Sequence, residues 1–240
     1  MADSTAPPSS DTAVSLDDQK QVVELLSQSV LGLWQVVNNL TRLRQTQRED
    51  FRVTIFGSAR VSAGHWVYGA VRDLAAALSG MGCTVITGGG PGLMQAANEG
   101  AASAGTDAMG RSVGIRIHLP FEQDANPFVG EMHEHGTFFS RLHHFVIASD
   151  AFVVVPGGIG TVLELMMVWQ LLQVRHLHGT PLILVGPMWR ELVQWAHTYL
   201  LRQDFPLASP ADLEIPICVD TAAEAIALLE DRHAQWRAAR

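Results

Sequence analysis

Three apolar runs in this chain each end in a glycine-bearing turn, and that recurrence constrains the fold more than any other feature. Phe51 to Phe56 runs into Gly57-Ser58, and Thr84 to Thr87 runs into Gly88-Gly89-Gly90-Pro91-Gly92. Ala151 to Val155 runs into Pro156-Gly157-Gly158-Ile159-Gly160-Thr161. Runs of four to six apolar residues without polar alternation read as strands buried on both faces, the pattern of a parallel sheet. The segments between them read as helices: Trp66 to Ser79, closed by Gly80 and Gly82, Pro91 to Ala104 with proline in its first turn, and Phe138 to Ala148. Ser112 to Ile117 is a further strand. After the last glycine turn come a helix over 160–174, a strand over Pro181 to Val185, a helix over Trp189 to Leu201, a strand over Ile217 to Val219 and a helix over Thr221 to Glu230.

This alternation specifies an α/β fold: a Rossmann-like, doubly wound parallel sheet in a single domain over 49–240. Ahead of it, Val22, Leu25, Leu26, Val30, Leu33, Val37 and Leu40 recur at spacings of three and four, which predicts an amphipathic N-terminal helix over 19–48. Residues 1–18, rich in Ser, Thr, Asp, Ala and Pro, lack any apolar period and are expected to form a disordered leader.

In such a sheet ligands bind beyond the carboxyl ends of the strands, where strand order reverses. Glycine lets backbone approach a ligand, and the helix that follows presents unbonded N–H groups and a positive dipole end. Three such turns on one sheet edge point to a phosphate-bearing ligand; read alone, each is also an ordinary tight strand–helix turn. Among the 16 basic residues only Lys20 is lysine, so a Walker-type Gly-Lys-Ser/Thr loop is excluded. Gly57-Ser58-Ala59-Arg60 likewise lacks the Gly-x-Gly-x-x-Gly of a dinucleotide site.

Glu164 follows Thr161 by three residues, which places its carboxylate one turn into the helix beside the proposed cradle. The same spacing also fits a capping box, with Thr161 as the cap. Arg141 sits on the helix feeding the Ala151–Val155 strand. It reads either as a cation over the substrate or as a structural ion pair. His133-Glu134-His135 and His143-His144 lack a third fixed ligand at metal spacing, so no metal is assigned. A net charge of -8 argues against nucleic acid and anionic membranes as partners. Cys83 and Cys218 lie in apolar stretches and read as free thiols of a cytoplasmic protein.

Gly88-Gly89-Gly90-Pro91-Gly92-Leu93-Met94 with Ala96-Ala97-Asn98, and Pro156-Gly157-Gly158-Ile159-Gly160-Thr161 followed by Glu164, resemble the Lonely Guy (LOG) family. Members of that family have often carried the label "possible lysine decarboxylase". The similarity runs from about Phe51 to Val185. It includes Phe56-Gly57-Ser58-Ala59-Arg60, Leu119-Pro120-Phe121-Glu122-Gln123 and Asn126-Pro127, as in the longer bacterial members. The resemblance implies hydrolysis of the N-glycosidic bond of a purine nucleoside 5'-monophosphate, of the cytokinin riboside monophosphate or AMP type, to free base and ribose 5-phosphate. It implies that Gly157, Gly158, Gly160 and Thr161 hold the 5'-phosphate, and that Arg141 and Glu164 match the catalytic arginine and glutamate. Gly57, Ser58, Gly88, Gly89, Gly90, Met94, Glu122 and Ile159 complete the expected binding set. No cofactor is required, and a homodimer or higher homo-oligomer is expected. Two departures stand out: Leu142 where members usually carry lysine, and Leu163 where they commonly carry an acid. The alternative reading is a non-catalytic nucleotide-binding or regulatory protein using the same cradle.

Overall fold

The computed structural model describes residues 19–28, 30, 49–104, 108–117 and 125–240. Contacts divide the chain into two units, Met1–Gln47 and Arg48–Arg240. Of the expected N-terminal helix, residues 19–28 and 30 are described and are helical. The rest of it, and the leader over 1–18, lie outside the described residues.

The second unit is built on a seven-stranded sheet in the order β4-β3-β2-β1-β5-β6-β7, every pairing parallel. Its strands are β1 (Arg52–Phe56), β2 (Thr84–Thr87), β3 (Ser112–Ile117), β4 (Glu131–His135), β5 (Ala151–Val154), β6 (Leu182–Val185) and β7 (Pro216–Val219). Its helices, numbered here in chain order, are α1 (Trp66–Gly80), α2 (Leu93–Ala102), α3 (Phe138–Ala148), α4 (Ile159–Gln173), α5 (Pro187–Leu200), α6 (Pro210–Leu213) and α7 (Ala222–Ala238). The doubly wound Rossmann-like sheet expected from the alternation is therefore present.

Strand side chains alternate between two cores, as the two-residue period of a strand demands. Val53, Ile55, Val85, Val153 and Ile183 face α1, α2 and α7, meeting Leu74, Leu78, Leu93, Ala97 and Leu229. Phe56, Ile86, Phe152, Val154 and Leu184 face the other layer, meeting Phe145, Leu165, Val168 and Trp189. Burial on both faces is why these strands carry no polar alternation. Edge strand β4 departs from this, with Glu131 and Glu134 exposed.

β1 is bonded to β2 on one side and to β5 on the other, with Val53 opposite both Val85 and Ala151. The chain departs in opposite directions from this point, so the turns after β1 and β5 meet at one crevice.

Helices α1 and α2 pack with no side chain between them at Gly100. A Cβ there would lie 2.8 Å from the Arg72 carbonyl carbon and 3.0 Å from the Ala76 nitrogen, both backbone atoms that cannot yield. Gly100→Ala is expected to lower stability by about 1–3 kcal/mol through overpacking, read as a reduced midpoint in equilibrium urea unfolding. An unchanged midpoint would mean that the helices stand further apart.

Candidate functional site

The turn after β1 ties the other two glycine turns together. The Ser58 N–H donates to the Pro156 carbonyl (3.1 Å), and the Leu93 N–H donates to the Ser58 carbonyl (2.8 Å). The expected residues Gly57, Ser58, Gly88–Gly90 and Gly157–Thr161 are thus gathered at the carboxyl edge of the sheet.

Helix α4 begins at Gly158, its N-cap, with no side-chain cap bond. Thr161 is therefore inside the helix, packed against Gly157, and the capping-box alternative for Thr161 and Glu164 falls away. The first bond within α4 runs from the Val162 N–H to the Gly158 carbonyl at 3.0 Å. The N–H groups of Ile159, Gly160 and Thr161 precede it, and helix geometry leaves such groups without an intrahelical acceptor. Gly158, Ile159 and Gly160 are exposed, Ile159 at 88%. An anion reaching this turn from solvent meets backbone donors and the positive end of the α4 dipole.

One turn further on, the Glu164 carboxylate meets Arg141 from α3, Nη1 to Oε1 at 3.1 Å, with both side chains close to fully buried. Arg141 is held from two further sides. Its Nε donates to the Ile115 carbonyl at 3.0 Å, and its guanidinium lies 5.0 Å from the centre of the Phe145 ring. Burial and the ion pair act on Glu164 in opposite senses. Removal from water disfavours the charged form and the Arg141 charge favours it; burial prevails, and the carboxyl is pushed up from 4.5 to about 7. Such a group changes protonation state at neutral pH, as a general acid or base must.

Met94 lies across the turn after β2, where a Cβ on Gly88 would be 2.6 Å from its Sδ and a Cβ on Gly90 2.9 Å from its Cε. Glu122 lies outside the described residues. Leu142 is half-buried on α3, and Leu163, beside Glu164, is 49% exposed.

Several neighbours were given no role by sequence reasoning. Met132 on β4 packs against Gly89 and Gly114. Thr87, Asn98, Ser112 and Asn126 form a buried polar cluster beneath the Gly88–Gly90 turn. The pairing of Asn98 with Asn126 joins two motifs that the sequence holds 28 residues apart. Beside Arg141, His135 Nε2 and His144 Nδ1 are 2.9 Å apart, and His133 Nε2 is 3.1 Å from Glu131 Oε1. Burial, with the neighbouring imidazoles, lowers His144 to about 4, and burial lowers His135 as well. Among the described residues no group of His, Cys, Asp or Glu is arranged to hold a metal ion. Cys83 and Cys218 are free thiols, and no helix among the described residues is long and apolar enough to cross a membrane.

A family model described as possible lysine decarboxylase matches residues 94–229, more than half of the chain, including Arg141 and Glu164. The cytokinin riboside 5'-monophosphate phosphoribohydrolase of Mycobacterium tuberculosis is 30% identical over 161 residues, 64% of this chain and 80% of that protein. Among solved structures, the molybdenum cofactor carrier protein of Chlamydomonas reinhardtii superposes with a TM-score of 0.53 at 18% identity, covering 76% of this chain and 98% of that one. The molybdenum cofactor binding protein of Rippkaea orientalis gives 0.55 at 17% identity, over 78% and 98%. At these identities the structural likeness is one of fold.

The raised Glu164 pKa has a consequence for stability. Between about pH 4.5 and pH 7 the folded protein keeps a proton on Glu164 that the unfolded chain releases, so unfolding free energy falls as pH rises through that window. The difference in unfolding free energy between wild type and Glu164→Gln is expected to fall by roughly 3 kcal/mol from pH 4.5 to pH 7 and to level off above it. A pH-independent difference in urea unfolding would show that Glu164 ionises normally.

Proposed function

The chain belongs to the possible lysine decarboxylase family, and from that membership we propose that it is a phosphoribohydrolase acting on a purine nucleoside 5'-monophosphate. The observation that carries this reading is the buried Arg141–Glu164 pair one helical turn from the open N-terminus of α4. The 5'-phosphate binds the N–H groups of the Gly157–Thr161 turn, which fixes the ribose beside Glu164. As the C1'–N9 bond breaks, its electron pair leaves with the base and positive charge gathers on C1' and the ring oxygen. The Glu164 carboxylate stabilises that charge and takes a proton from the attacking water as its oxygen bonds to C1'. The departing base takes up a proton from solvent, and Glu164 returns its own to solvent. The free base and ribose 5-phosphate then leave. Arg141 holds the carboxylate in place.

The decarboxylase in the family description is a poorer fit. Pyridoxal-phosphate decarboxylation needs a lysine for the Schiff base, and the unit Arg48–Arg240 contains none. The second reading, a nucleotide-binding protein without turnover, draws on Leu163, an exposed apolar side chain beside Glu164 where the resemblance leads one to expect an acid.

We further propose a cytoplasmic homodimer. Ile159, Leu163 and Met166 follow one another at spacings of four and three along α4 and are all exposed, an apolar patch suited to a second copy. Free thiols suit a reducing compartment.

Incubation with AMP and with a cytokinin riboside 5'-monophosphate is expected to release free base, and Glu164→Gln to slow release by about a hundredfold or more while nucleotide binding persists. Tight binding without release in the wild type would favour the second reading. Sedimentation velocity is expected to show a dimer that Met166→Glu converts to a monomer. A wild-type monomer at micromolar concentration would rule out the proposed interface.

A further inference from the structure

We propose that Thr87, Asn98 and Asn126 are positioning residues for the Arg141–Glu164 pair, acting through the Gly88–Gly90 turn. The proposal rests on the reading of Arg141 and Glu164 as the reacting pair, but its geometry does not depend on which bond they break.

The cluster begins at Thr87, the fully buried last residue of β2. Its Oγ1 accepts the Gly89 N–H at 2.9 Å and donates to Asn98 Oδ1 at 2.6 Å. Asn98, buried on α2, donates through Nδ2 to Ser112 Oγ on β3 at 2.9 Å. Asn126 closes the cluster from the far side of the turn. Its backbone N–H donates to the Gly89 carbonyl at 2.9 Å. Its Nδ2 donates to the Gly90 carbonyl and to Asn98 Oδ1, each at 3.0 Å. Asn98 Oδ1 thus accepts two donors, which fills both of its lone pairs. The Gly89 N–H and the Gly89 and Gly90 carbonyls are all bonded to Thr87 or Asn126.

A buried polar cluster is stabilising only when its members are satisfied, and a satisfied one fixes a single geometry where apolar packing would permit several. The geometry fixed here is that of Gly88, which lies between Thr87 and Gly89. A Cβ on Gly88 would be 2.6 Å from Arg141 Nη2, so the guanidinium rests directly on the bare turn. With its Nε on the Ile115 carbonyl and Phe145 against it, Arg141 has Gly88 as a further support on the way to Glu164. If the turn moves, that support is lost and the guanidinium is free to swing from the carboxylate. Arg141 is the charge that bears on Glu164, and His135 on β4 is an ionisable neighbour of Arg141.

The test is the ionisation of Glu164 in the full chain, followed by carbon-13 NMR of labelled glutamate and assigned with Glu164→Gln. The wild-type carboxyl is expected to titrate near 7. Thr87→Val keeps the shape of the side chain and removes the hydroxyl. It is expected to raise that titration by about one pH unit, because an ion-pair partner at this range lowers a carboxyl by one to three units. Thr87→Ser, which restores the hydroxyl, is expected to return it. Asn126→Ala, outside the sheet, is expected to shift it in the same direction and decides the matter if Thr87→Val fails to fold. A folded Asn126→Ala or Thr87→Val with wild-type melting and an unmoved Glu164 titration overturns the proposal. Absence of base release by the wild type, with the titration shifts present, would overturn the hydrolase reading and leave the positioning role standing.

Discussion

Strand β1 is flanked by β2 on one side and β5 on the other, and the chain leaves these two neighbours in opposite directions. A parallel sheet cannot avoid such a point when helices cover both of its faces. The crevice it creates lies where Gly57-Ser58, Gly88–Gly90 and Pro156–Gly158 all end. Ser58 is the junction, giving its N–H to Pro156 and its carbonyl to Leu93. A sheet edge that would otherwise carry three unrelated loops becomes one bonded rim, and the helices α2 and α4 start from it.

Within that rim the site is defined by two opposed electrostatic demands. A carboxylate buried in the layer between α3 and α4 is destabilised by the loss of water, and the guanidinium 3.1 Å away recovers part of that loss. Neither effect alone gives a useful group. Full compensation would leave Glu164 a permanent anion, and burial without Arg141 would leave it a permanent acid. Their near balance puts the ionisation close to neutrality. Burial lowers His135 and His144, the latter to about 4, and so disfavours further positive charge beside Arg141.

β5 and β6 were legible because each carries an unbroken apolar run, and β1 and β2 because each runs into a glycine turn. β4 was not, because Glu131-Met132-His133-Glu134-His135 forms an edge strand in which two of five side chains are exposed. Its place in the sheet comes from pairing with β3, a long-range fact that no local period reports. Glu164 was legible from its spacing after the glycine turn, and Arg141 was named as a candidate cation, but no local spacing pairs the two. Arg141 lies 23 residues earlier on another helix, and only the adjacency of α3 and α4 on one sheet face brings the two together. The same spacing also fitted Thr161 as a cap, and the structure decides against it because Gly158 starts the helix two residues before Gly160.

The two leucines, at positions where the resemblance leads one to expect a lysine and an acid, bear on the site in ways that can be separated. Leu163 is half exposed, so an acid there would face water, and its field at Glu164 would be heavily screened. Its replacement by leucine therefore changes the ionisation of Glu164 little and changes the chemistry of the rim more, extending the apolar stripe of Ile159 and Met166 up to the mouth of the site. Leu142 is half-buried on α3 next to Arg141 in sequence. Neighbouring residues on a helix point in different directions, so a place next to Arg141 in sequence does not aim position 142 at Glu164. Leucine leaves Arg141 as the one cation shown to bear on it. The ionisation of Glu164 near neutrality thus rests on its own burial and on Arg141, and neither leucine is needed to account for it.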